Sequence, residues 1–524
     1  MTAQLPRVIA ESLGGSPLVR AGIAGRLTEW YPRRPCSPDE WRDRATAVRG
    51  SAAGTGWLDA MAPAFGATGA AHERLVRVAQ GGGVVVTTGQ QPGLFGGPLY
   101  TLSKALSALE LADAIERATG IPAAPVFWAA TDDADFAEAT FTWLRQDGGA
   151  VRVAHAQSAS EGIPMAEVPL EGIDGAMREL LRASGSAADA SVIAAVRKAY
   201  RHGTTIGGAY LELMRHVLEP LGMGVIDASH PSLLARERPV LEAALREAAQ
   251  VERALVERER ALRAHGYEPQ VATVDGLSLV FSRDGQGRKA RVPVAQGAAM
   301  ADGSPTPLGP NVLLRPVVER AVLPTVAYVA GPGELAYFAQ VSAVAAALDV
   351  ALPLGVPRWS GTVLEPQIEA TLRAREIGWR ELETEHAVER RLAVSSLPID
   401  LMHALDDLRR TAQERAEVFK GRLEAAGSPI DPRIVDGTTR GMTWRVDRLE
   451  RRLVAAAKKR EHRALHEIAT ARGALFPAGK RQERVLNFVP LLATWGSALL
   501  DAMRASARRH AEALVSGADL PSDS

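Results

Sequence analysis

Only one cysteine, Cys36, occurs in the chain, so no internal disulfide can form. It stands in a proline-rich loop without an evident base partner and reads as a bystander rather than a nucleophile. Neither charge is in excess: 61 Lys and Arg balance 61 Asp and Glu. That balance offers no overall positive field for nucleic acid or a membrane surface. No apolar run reaches the roughly 18 residues of a membrane helix, and the first residues lack the basic-then-apolar order of a secretion signal. The expectation is a soluble cytoplasmic protein that binds neither nucleic acid nor membrane. Two nucleotide fingerprints are missing as well. A P-loop would need Gly-Lys-Ser/Thr where the chain reads Gly97-Pro98-Leu99, and the spacing of Gly89, Gly93 and Gly96 does not fit G-x-G-x-x-G. No residue set is assigned to a resident metal.

What is present centres on residues 81–120. Val84, Val85, Val86, Thr87 and Thr88 have the composition of a buried strand. A loop with Gly89, Gly93, Gly96 and Gly97 follows, closed by Pro98. Beyond it Leu99, Leu102, Leu106, Leu109 and Ala112 recur at helical spacing. Strand, glycine loop and helix make an anion or ligand cradle in α/β proteins. Gln90, Gln91, Tyr100 and Lys104 supply amide, phenol and ammonium groups at its mouth, which favours a ligand site over a plain structural turn.

At 524 residues the chain is too long for one core and suggests two or three units. Trp30 and Trp57 are expected packing anchors in the opening helices and turns. A second strand at 125–130 runs into Asp132, Asp133, Asp135 and Glu138. Carboxylates at the end of a parallel strand lie where open α/β sheets bind ligands. They could hold an ammonium, a ribose or Mg²⁺, act as a base, or merely cap a helix. A third strand ends at Asp227, a long helix is expected over 231–265, and alternation around Leu277, Leu279, Phe281, Val292 and Val294 predicts a small β insertion near 268–305. Residues 308–340 repeat the first pattern: Asn311 as a cap, Arg315, a strand at 324–329, then Gly331-Pro332-Gly333-Glu334 and a helix carrying Tyr337. Arg315 suits a carboxylate or phosphate fork, or an ion pair with Glu334 or Glu319. A last strand covers 352–357. The α/β core is therefore placed at 1–378, an antiparallel coiled-coil hairpin of charged helices at 379–475, and a segment returning to the core at 476–524. Lys458, Lys459 and Arg460 read as a solvated face.

Five stretches occur in one order: GQQPGLFGGPLYTLSK at 89–104, PVFWAATDDADF at 125–136, PNVLLRPVVE at 310–319, LPTVAYVAGPGELAYFAQ at 323–340 and FPAGKRQERVLN at 476–487. Together they resemble the bacillithiol biosynthesis cysteine-adding enzyme family over essentially the whole chain. The resemblance implies a Rossmann-like core related to nucleotidylyl-transferase folds and a coiled coil used for homodimerisation. It implies a ligase that joins the carboxyl of L-cysteine to the amine of glucosaminyl malate. One departure stands out: the family's second motif usually reads Glu-Asp-His-Asp-Phe, whereas this chain has Asp132-Asp133-Ala134-Asp135-Phe136.

Amide formation from a free carboxylate is uphill in water and calls for activation by ATP or another donor; the sequence does not select among them, nor settle a role for Mg²⁺. The catalytic set expected is Asp132, Asp133, Asp135 and Lys104. The substrate-binding set is Gly89, Gln90, Gln91, Gly96, Gly97, Tyr100, Asn311, Arg315, Gly333, Glu334 and Tyr337, with Arg315 and Lys104 for the malate carboxylates. The two glycine loops are expected to face each other with Asp132 to Asp135 between them. Alanine at Lys104 or Arg315 should then cost turnover and leave the melting temperature nearly unchanged. Two other readings remain, a nucleotidyl transferase that activates a small acid and a non-catalytic coiled-coil scaffold.

Overall fold

Successive side chains of a strand point to opposite faces of its sheet, so a strand apolar at every position must be covered on both sides. Val84, Val85 and Val86 are all fully buried, Val84 and Val86 in one hydrophobic core and Val85 in another. The strand that holds them, β1 (Val84–Gln90), is the middle of a five-stranded sheet. The others are β2 (Ala123–Ala129), β3 (Gly224–Asp227), β4 (Thr325–Ala330) and β5 (Gly355–Pro357). Their order is β5-β4-β1-β2-β3 and every pairing is parallel. This is the α/β, Rossmann-like architecture read from the sequence. The structure, a computed structural model, describes residues 5–51, 56–146, 149–155, 161–187, 191–303, 305–395, 397–431, 433–460 and 462–523. The side chains of Lys458, Lys459 and Arg460 lie outside the described residues.

The chain divides into two compact units, one of residues 1–146, 151–365 and 482–524, the other of 147–150 and 366–481. In the first unit, helix α1 (Leu99–Thr119) lies against β1 and β2 and is buried along almost its whole length. Its outer cover is the helix at Val489–Ser516, whose Arg504 and Arg508 pair with the fully buried Glu110 at 2.8 and 3.0 Å. The opposite core takes in α2 (Pro332–Ala347). Trp30 and Trp57 are both buried. The helix expected over 231–265 is broken into Pro231–Arg246 and Ala248–Ala264, because Glu247 between them has φ −94° and ψ 16°. Strands Leu277–Arg283 and Lys289–Pro293 pair antiparallel, and Leu308–Pro310 adds a third strand beside the first.

In the second unit the long helices are α3 (Ile399–Ala425) and α4 (Arg433–Arg460). Arg409 on α3 reaches Asp447 at 3.0 Å and also Glu450, whereas Lys420 reaches Asp436. Partner numbers fall as helix numbers rise, which fixes the pair as antiparallel. Leu405 is buried, but Leu401, Leu408, Phe419, Trp444 and Leu449 are exposed.

Candidate active site

In the sheet, β2 continues outward from one edge of β1 and β4 lies on the other, so the strand order reverses between β4 and β1. Ligands of open α/β sheets bind outside the carboxyl ends at such a switch. A cavity of about 430 Å³ opens there, a size suited to a small-molecule substrate. Of the residues expected at a site, all but Gly96, Gly97 and Asp135 line it.

Lys104 comes from the second turn of α1 and is 5% exposed. Its ammonium donates to Gly89 O at 2.9 Å and Gln90 Oε1 at 3.0 Å and meets Glu334 Oε2 at 2.6 Å. Those three contacts use its three protons. Gly89 is required where it stands: a Cβ there would lie 2.9 Å from Trp128 O. Glu334 is the third residue of α2 and accepts from Gly331 N–H at 2.8 Å and from the Tyr328 hydroxyl at 2.7 Å. Burial opposes its charge, but Lys104, the Tyr328 hydroxyl and Arg315 hold its carboxyl below the usual range. Burial likewise draws the Lys104 ammonium down against the pull of Glu334.

Arg315 follows Asn311, whose Oδ1 caps the turn by accepting from Leu313 and Leu314 N–H at 3.1 and 3.0 Å. The guanidinium donates to the Tyr328 hydroxyl at 2.8 Å and lies 3.5 Å from Glu319 and 3.9 Å from Glu334. Glu319 is almost fully buried and bonded to Thr87, and burial pushes its carboxyl up to about 7 despite Arg315. Of the alternatives weighed for Arg315, the ion pairs with Glu319 and Glu334 are present, while its Nη1 makes no hydrogen bond. Tyr100 accepts from Gln90 Nε2 at 3.3 Å, and burial first, then Glu138 and Glu334, raise its phenol. Burial also raises Tyr337. Both phenols stay protonated.

The three aspartates separate. Asp132 Oδ2 is 3.1 Å from Lys289 Nζ, which also donates to Asp132 O at 2.9 Å. Asp135 is exposed and accepts from Glu138 N–H, capping the short helix at Phe136–Ala139. Asp133 spends Oδ1 on the N–H groups of Ala134 and Asp135, at 2.6 and 3.2 Å. Among the described residues it is the one lining carboxylate without an ion-pair partner. Burial, then Asp132, raises its carboxyl above the ordinary aspartate range. The acidic loop follows β2, whereas the glycine loops follow the neighbouring strands β1 and β4; in strand order the expected middle place of Asp132 to Asp135 belongs to β1.

Beyond Gln91, the glycine loop after β1 is closed at Leu94–Gly96. Gly96 has φ +85°, and a Cβ on it would fall 2.6 Å from the Phe488 ring. Asn487 Nδ2 donates to Leu94 O and Phe95 O at 3.1 and 3.0 Å, and Leu99 N–H, the first of α1, donates to Leu486 O at 2.8 Å. Gly96 therefore seats the C-terminal segment, and neither Gly96 nor Gly97 lines the cavity. Sequence reading did not assign Lys289, Arg358 or Arg484, all of which line the cavity. Arg358 follows β5, and its position at the carboxyl end of a parallel strand was the available signal. It forms a two-pronged pair with Glu483 at 2.6 and 2.7 Å.

Comparison with known proteins agrees with this architecture. Residues 24–359 match the family model described as bacillithiol biosynthesis BshC, N-terminal Rossmann-like domain. Residues 361–513 match bacillithiol biosynthesis BshC, C-terminal coiled-coil domain. Relatives named "Putative cysteine ligase BshC" include one from Koribacter versatilis, 32% identical over 82% of this chain and 82% of its own length. One from Solibacter usitatus is 31% identical over 80% of this chain and 82% of its own. One from Symbiobacterium thermophilum is 27% identical over 94% of this chain and 96% of its own. On the strength of these matches across both units, the chain belongs to the bacillithiol biosynthesis BshC family.

Proposed function

We propose that this chain, a ligase by its relatives, forms the amide between L-cysteine and glucosaminyl malate in the cavity at the β4–β1 switch. The observation that carries the reading is Asp133, a lining carboxylate with no cation of its own and a raised affinity for a proton. An amine arrives at neutral pH as ammonium and cannot attack until a base removes a proton. Asp133 takes that proton; the freed lone pair bonds to the activated cysteine carbonyl carbon, and the leaving group departs from that carbon. Tyr100 accepts from Gln90 and keeps its own O–H for the oxygen on which charge develops. Lys104, Glu334 and Arg315 hold the cavity's walls in register through the bonds of Lys104 to Gly89 and Gln90, of Glu334 to Lys104 and Tyr328, and of Arg315 to Tyr328. Asp132 is positioned by Lys289.

The same reading includes a cytoplasmic homodimer through the hairpin, supported by the exposed Leu401, Leu408, Phe419, Trp444 and Leu449. Light scattering should then give a mass near twice the 55.7 kDa of one chain. The deciding assay supplies glucosaminyl malate and L-cysteine, with and without ATP, and follows the amide product by mass. Product formation is expected. Pyrophosphate release that needs no cysteine and yields no amide would replace the reading with a nucleotidyl transferase, and an inert protein would favour the scaffold.

A further inference from the structure

From Gln482 to Val489 the chain is buried at every position but one, Arg484. The neighbours of that residue are spent on anchoring. Gln482 exchanges two hydrogen bonds with the backbone of Val363, at 2.8 and 3.0 Å. Glu483 binds Arg358 with both oxygens and accepts from the Ser360 hydroxyl at 2.8 Å. Leu486 and Asn487 close the glycine loop as described. A segment fixed at both ends thus presents a single guanidinium, and that guanidinium lines the cavity.

Each of the cavity's other cations has a carboxylate of this chain within 4.0 Å. Lys104 meets Glu334, Lys289 meets Asp132 and Arg358 meets Glu483, while Arg315 lies 3.5 Å from Glu319 and 3.9 Å from Glu334, with its Nη1 in no hydrogen bond. Arg484 has no such partner among the described residues. A ligand carboxylate could displace a buried carboxylate from its cation, which would leave that carboxylate desolvated and unpaired. Alternatively it could take the unspent N–H fork of Arg484, whose planar donors match a carboxylate two to two.

Resting on the ligase reading above, we propose that Arg484 binds a carboxylate of the malyl group and so selects acceptors that carry one. This reassigns the role that sequence alone gave to Lys104 and Arg315. The ligand chemistry is an oxyanion, and phosphate is the other source of it, so the test separates the two. L-Malate and inorganic phosphate are titrated calorimetrically into the full-length wild type, Arg484→Gln and Arg484→Lys. Malate affinity should fall at least about tenfold in Arg484→Gln and recover in part in Arg484→Lys, as expected for loss of a charge-assisted contact. The KM for glucosaminyl malate should rise by a similar factor with kcat within about threefold. Equal malate affinity in wild type and Arg484→Gln, no malate binding to the wild type, or a dependence on Arg484 for phosphate alone would each overturn the proposal. If malate binding depends on Arg484 but no protein forms the amide, the inference stands and the ligase reading fails. If both proteins form it with one KM, the ligase reading stands and the inference fails.

Discussion

After β1 the chain runs from Gly89 to Pro98 into α1; after β4 it runs through Gly331, Pro332 and Gly333 into α2. Both crossings join a buried parallel strand to a helix by glycine and proline, and in sequence they look interchangeable. In the fold they are not. The first gives Gly89, Gln90 and Gln91 to the cavity wall, but its Leu94–Gly97 part is sealed by Asn487, which reaches Leu94 across 393 positions, and by Phe488 against Gly96. The second carries Gly331, Pro332, Gly333 and Glu334 into the cavity wall. Local pattern fixes where a strand turns into a helix. Whether the mouth of that turn stays open depends on what arrives from elsewhere in the chain.

The largest expected effect bridges the two crossings. Lys104→Ala removes the cation that ties Gly89, Gln90 and Glu334 together, and leaves Glu334 buried with only the more distant Arg315, at 3.9 Å, as a charge partner. Breaking a buried pair from one side costs about 3–5 kcal/mol. Thermal unfolding should therefore show a clear loss of melting temperature, which replaces the expectation that Lys104 and Arg315 could be truncated without structural cost.

Next comes the pH dependence of Glu319, which stands under Arg315 and Thr87. Its folded pKa of about 7 lies above the ordinary 4.5. The native state therefore holds a proton that the unfolded chain releases between those values. The associated stability is complete below about pH 4.5 and is lost as pH rises through about 7, roughly 3 kcal/mol in all. Glu319→Gln cannot titrate, so the wild type should lose stability relative to it across that window. Parallel denaturation curves for the two proteins would contradict the assignment.

Asn487→Ala tests the sealed crossing by itself. It strips a donor from Phe95 O and from Leu94 O, the latter keeping the Gly97 N–H at 3.2 Å, and an orphaned buried carbonyl costs about 1–3 kcal/mol. Urea midpoints should move accordingly; an unchanged midpoint would mean that the seal contributes nothing. The smallest effect belongs to Ala134→His. Ala134 does not line the cavity, and its N–H serves only to hold Asp133. Restoring the residue usual in the family should change turnover by no more than about threefold. A larger gain would give that histidine a catalytic part.

These contrasts also mark how far the sequence could be read. The valine run of β1, the strand at 324–329 and the polar groups of both loops announce themselves by composition and spacing, because each depends on near neighbours. So do the helices of the hairpin. Lys289 gave no such signal: it sits in an edge strand of the insertion and meets Asp132 157 positions away. Arg358 and Arg484 lie in plain view at a strand end and in a quoted motif, yet their place in the cavity depends on the Arg358–Glu483 pair. That Gly96 is covered lay outside local pattern, which does not contain Phe488.

The central claim, that Asp133 is the base of an amide-forming site at this cavity, is tested most directly by amide formation with Asp133→Asn. Removing an unpaired carboxylate whose burial is unfavourable leaves the fold intact, so the variant should melt at or above the wild-type temperature. Its kcat with glucosaminyl malate and L-cysteine should fall about 10²–10⁴-fold, the range of a lost general base. A well-folded Asp133→Asn protein with wild-type turnover would contradict the account.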